Sequence, residues 1–143
     1  GDAAAAADGG VVSVIVPRFR AFDHWLVARI LNETYARLEL VLVADGRDAC
    51  GGGSAEIEHG DVQVKVVPLS AARTLVHVCT PALRYASEYV RVGLSVATGD
   101  FIALWTPLEY YPRNDRIARQ LAALHYANAV VRRYAAAGDA ENG

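Results

Sequence analysis

Lysine is almost missing from this chain: Lys65 stands alone against thirteen arginines. In so alanine-rich a sequence the imbalance reads as the composition of a GC-rich genome, or as the arginine forks that phosphate recognition favours. Cysteine is nearly as scarce. Cys50 and Cys79 form no CxxC pair and no two histidines sit at metal spacing, which argues against a disulfide framework and a structural zinc site. Reduced thiols and a cytoplasmic location are the default expectation. No stretch approaches the roughly 20 apolar residues that cross a bilayer. The opening GDAAAAADGG lacks the basic and apolar regions of a signal peptide, so residues 1–10 read as a flexible lead-in. No internal repeat is present. A net charge of −2 gives no footprint for nucleic acid or for an anionic membrane.

What remains is a globular composition in 143 residues, enough for one domain. Val11 to Val16 is β-branched at nearly every position and stops at Pro17. Leu38 to Val43 is a second apolar run, ended by Asp45-Gly46. Runs without alternation suit strands covered on both faces of a parallel sheet. Between them Trp25, Leu26, Ile30 and Leu31 fall at helical spacing behind Asp23. Cys50-Gly51-Gly52-Gly53-Ser54 is a loop. Val62 to Val67 alternates and predicts a half-exposed strand, and Leu75 to Cys79 a short additional one. Thr80-Pro81 reads as a helix start, with the helix running to Thr98. Phe101 to Trp105 predicts a fourth buried strand. A last helix is expected over 113–137, followed by a polar, disordered tail at 138–143.

Strands interleaved with helices imply right-handed crossovers and a mostly parallel α/β sheet flanked by helices. Ligands of such sheets sit at the C-terminal strand ends, where strand order reverses. That rule nominates Pro17 to Arg20, Ala44 to Asp48 and Trp105 to Tyr111.

The same segments carry a family resemblance. Val-Ser-Val-Ile-Val-Pro at 12–17 is similar to the opening strand of family 2 glycosyltransferases. Glu33-Thr34-Tyr35 through Leu38-Glu39 resembles that family's lead into its second strand. Gly93-Leu94 to Ala97-Thr98-Gly99-Asp100-Phe101-Ile102-Ala103 resembles its Gly-Leu-x-x-Ala-x-Gly-Asp-Tyr-Ile-Ala segment, and Arg119-Gln120-Leu121 sits in the following helix. The resemblance covers residues 11 to 130, the nucleotide-sugar-binding half of the family's domain, without the acceptor-binding half. It implies a truncated, Rossmann-like GT-A fold over 11–137. It also implies a nucleotide-diphosphate sugar as ligand, a UDP-sugar first, and Mg²⁺ or Mn²⁺ at an Asp-x-Asp pair.

The family's site residues carry over only in part. The acidic pair falls on Thr106 and Leu108, or on Pro107 and Glu109, so Glu109 is the one remaining candidate metal ligand, or an exposed loop acid. Ala44-Asp45-Gly46-Arg47 replaces Asp-Asp-Gly-Ser. Asp45 is a candidate for the base or ribose, or a turn residue, and Arg47 for phosphate. After Pro17 the usual Thr-Tyr-Asn becomes Arg18-Phe19-Arg20, two cations around an aromatic that stacks on a base or belongs to the core. Arg91 holds the place of a phosphate-contacting arginine. The catalytic base is unknown. The expectation is a glycosyltransferase-like domain with catalysis reduced or lost. The alternative is a binding or assembly module of the same descent. A sheet truncated after its fourth strand leaves an apolar edge, so a homo-oligomer or a partner chain is expected at Trp105 to Tyr111.

Overall fold

The computed structural model describes residues 9–45, 62–106 and 112–142. The lead-in up to residue 8, the glycine loop, Arg47 and Glu109 lie outside these residues. The elements run β1 (Val12–Phe19), a 3-10 turn (Ala21–Asp23), α1 (His24–Leu31), β2 (Leu38–Asp45), β3 (Gln63–Pro68), β4 (Arg73–Thr80), α2 (Ala86–Val96), β5 (Phe101–Leu104) and α3 (Arg116–Asn142). One five-stranded sheet forms in the order β3-β4-β2-β1-β5. Only β3 is antiparallel, hairpinned onto β4; the other pairings are parallel.

Helices cover both faces, which explains why β1 and β2 are apolar at almost every position. Val12, Val14, Val16, Leu38, Leu40 and Leu42 face Leu26 and Ile30 of α1 and Ile117 and Leu121 of α3. Ile15, Val41, Val43, Val76 and Val78 face Tyr89 of α2. Alternate residues thus enter opposite cores, as the two-residue period of a strand requires. Gly93 lets α2 lie close to the sheet: a Cβ there would stand 2.6 Å from the Ile15 Cγ2.

Several elements differ from expectation. β1 continues through Pro17, whose missing N–H falls where the pairing with β2 shifts register between Val16 and Phe19. The expected short strand at 75–79 is a full strand, β4, running beside β2 from Arg73 to Thr80. Thr80 therefore closes a strand rather than opening a helix. The helix starts at Ala86, where the Glu88 carboxylate accepts the backbone N–H groups of Arg84 and Tyr85 at 2.8 and 3.1 Å. β5 is an edge strand, not a buried one, and Ile102 and Leu104 are 45% and 44% exposed. α3 continues past Gly138 to Asn142, carried by its alanine run. Cys79 is disulfide-bonded, against the expectation of reduced thiols. No helix among the described residues is long and apolar enough to cross a membrane.

Candidate functional site

Because β2 lies on one side of β1 and β5 on the other, the direction of winding reverses between β1 and β5. On the other side of β1 from that point, the C-terminal ends of β1 and β2 bring together three of the chain's polar side chains. Asp45 is the last residue of β2, in register with Thr80 of β4. The Tyr89 hydroxyl, reaching down from α2, donates to its Oδ2. The same hydroxyl accepts the backbone N–H of Leu83 at 3.0 Å. The Arg18 guanidinium lies over the Tyr89 ring, 5.5 Å from its centroid. Burial pushes the Tyr89 phenol above its ordinary pKa, and the hydrogen bond to Asp45 adds to the rise. The phenol therefore stays a donor, and its ring is a fixed floor beneath Arg18.

Arg18 reaches this position at a local cost. Its φ is +55°, the one positive φ outside glycine among the described residues. A side chain in the left-handed region costs on the order of 1–3 kcal/mol and persists where its surroundings over-determine it. Here the register shift at Pro17 and Arg18 imposes it.

The other candidates scatter. Phe19 is buried in the core and meets His24 edge-on at 5.6 Å between centroids, so no ring face is left for a base. Arg20 is exposed beside the 3-10 turn, its backbone N–H donating to the Asp23 carboxylate at 3.0 Å. Arg91 is exposed on α2 two residues after the inward-facing Tyr89, which on a helix puts it about 200° round the axis from the cluster. Trp105 is not a contact surface: it is buried, with the Arg116 guanidinium 4.5 Å over its ring. Among the described residues no three His, Cys, Asp or Glu side chains gather into a metal-donor set.

The motifs that resemble the family have structural tasks at the opposite end of the sheet. Glu39 is buried and accepts the Ser13 hydroxyl at 2.7 Å, the Thr98 backbone N–H at 2.8 Å and the Thr98 hydroxyl at 2.5 Å. Gly99 donates its N–H to the Ser13 Oγ at 2.9 Å, and Asp100 accepts the Val11 N–H. Glu33 is buried as well and accepts the Ile117 N–H at the first turn of α3 at 2.9 Å. Tyr89 and Arg73 went unnoticed in the sequence. Arg73 donates to the carbonyls of Leu31, Ala36, Glu33 and Tyr35, gathering the chain that leaves α1. An aromatic two residues before an arginine carries no signal for such a contact.

No family model, curated protein or solved structure matches this chain.

Proposed function

We propose that this chain is a glycosyltransferase-like domain of the family 2 type, with a Rossmann-like sheet, that binds a nucleotide-diphosphate sugar and has reduced or lost catalysis. The observation that carries the reading is the Arg18–Tyr89–Asp45 cluster at the C-terminal ends of β1 and β2, the end of a parallel sheet where ligands bind and one strand from the point where the winding reverses. A cation and a carboxylate at either end of one fixed phenol suit a ligand with an anionic part and an N–H or O–H donor part, as a nucleoside diphosphate has. The carboxylate already accepts a hydrogen bond from the phenol, which suits it to orienting a base or ribose rather than to removing a proton. The motif resemblance at residues 11–130 supports the same reading. Titration calorimetry with UDP in Mn²⁺ buffer tests it: micromolar binding that weakens in Asp45→Ala supports it, and no heat with any nucleoside diphosphate removes it.

A second reading, an assembly module of the same descent, draws on the edge strand β5. Its Ile102 and Leu104 stand exposed with no strand beyond them among the described residues, and α3 adds exposed Leu124, Val131 and Tyr134. Self-association without nucleotide binding would favour it.

A further inference from the structure

We infer that the Arg18 guanidinium, and not a divalent cation, neutralises the diphosphate at this site, so that ligand capture is metal-independent. The inference rests on the nucleotide-diphosphate reading above and adds to it the source of positive charge. Three observations carry it.

The first is conformational. Arg18 holds φ +55° at the register shift in β1. Glycine or asparagine occupies that region at lower cost, so arginine there is the choice that folding alone does not favour. Strain of this kind concentrates where a side chain has work to do at a ligand.

The second is the state of the guanidinium. Arg18 is exposed, and among the described residues no ion pair or hydrogen bond engages its nitrogens. Among the described residues its partner is the face of Tyr89. That ring is itself immobilised by Asp45 and Leu83. An arginine stacked on a fixed ring keeps its planar fork and all its donors while giving up side-chain freedom in advance. Two phosphate oxygens match that fork.

The third is the donor chemistry at the strand ends. Mg²⁺ and Mn²⁺ need several hard oxygen ligands. Asp45, the carboxylate at the end of β2, has one oxygen committed to the Tyr89 hydroxyl, and among the described residues no three His, Cys, Asp or Glu side chains gather into a donor set. The group that stands ready for an anion there is a cation.

The test is calorimetry on the full chain with UDP, and with inorganic pyrophosphate to isolate the anionic part, in EDTA and then in Mn²⁺. Both ligands are expected to bind in EDTA, with Mn²⁺ changing affinity by less than about threefold. Arg18→Gln is expected to weaken both at least about tenfold, the loss of a charge-assisted pair. Arg18→Gly is expected to lose binding equally while its Tm rises, because glycine relieves the backbone. Arg18→Lys, a charge without the fork, is expected to fall between. Binding that vanishes in EDTA and returns with Mn²⁺ overturns the inference and leaves the proposed function standing, as does binding unchanged in both Arg18→Gln and Arg18→Gly. No binding of UDP in either buffer overturns the nucleotide reading itself, and the inference with it.

Discussion

The Tyr89 hydroxyl donates to the Asp45 carboxylate across 44 positions of sequence, fastening α2 to the end of β2. Tyr89→Phe leaves an acceptor at Asp45 and the Leu83 N–H without that partner, and is expected to cost about 1–3 kcal/mol at neutral pH. Urea denaturation at fixed pH measures it.

The same bond sets a pH dependence. The folded phenol titrates above the ordinary value of 10.0, raised by burial and by Asp45. Below that value both folded and unfolded chains keep the proton, and the contribution is fully present. Above it the unfolded chain ionises first, so stability falls as pH rises through the folded value. Tyr35, also raised by burial, adds a second loss in the same direction. Denaturation midpoints between pH 9 and 11 (roughly one unit either side of the phenol value) should fall in the wild type. They should fall less steeply in Tyr89→Phe and least in the double Tyr35→Phe variant. Parallel slopes in all three would contradict the assignment.

Gly99 meets the first strand as closely as backbone allows. An added Cβ would stand 2.4 Å from the Ser13 Oγ, 2.8 Å from the Ser13 nitrogen and 2.8 Å from the Val11 oxygen. Two of those atoms are backbone and cannot step aside. Gly99→Ala is expected to destabilise by about 1–3 kcal/mol and to loosen the Glu39 clamp beside it. Thermal denaturation reads the first effect and amide exchange at Thr98 and Gly99 the second.

Arg73 binds the carbonyls of Leu31, Glu33, Tyr35 and Ala36 through its fork. Lysine carries the charge but cannot reach four oxygens in one plane. Arg73→Lys should therefore cost about 2 kcal/mol, where a charge-only role predicts no change. Chemical denaturation separates the two.

The exposed pair Ile102 and Leu104 on β5 predicts association between copies at high protein concentration. Ile102→Lys with Leu104→Glu should shift a dimer to monomer in light scattering. A wild-type chain that is monomeric throughout removes the assembly reading.

The scaffold was more legible than the site. Apolar runs without alternation gave β1 and β2 their places, because a strand between two helical layers has no solvated face, and its few polar residues, Ser13 and Glu39, bond to each other. Thr80-Pro81 misled: a helix-start pair also suits the end of a strand, and only the pairing with Asp45 decides which. Phe101 to Trp105 looked buried because apolar residues on an edge strand read the same as those in a centre. At the site, Arg18 and Asp45 lie on nominated strand ends, whereas Tyr89, which joins them, comes from a helix 44 residues away from Asp45. Other residues of the resembling motifs have structural tasks: Glu33, Glu39 and Gly99 hold the frame together at the opposite end of the sheet.

We propose that a nucleoside diphosphate binds at the ends of β1 and β2. Backbone amide shifts recorded while UDP is added to the full chain test it most directly. Saturable changes are expected, concentrated at Arg18, Phe19, Asp45 and Tyr89 and lost in Asp45→Ala. A spectrum that stays unchanged at millimolar UDP (about a thousandfold above the micromolar affinity expected), or changes that map to β5 and α3 instead, would contradict it.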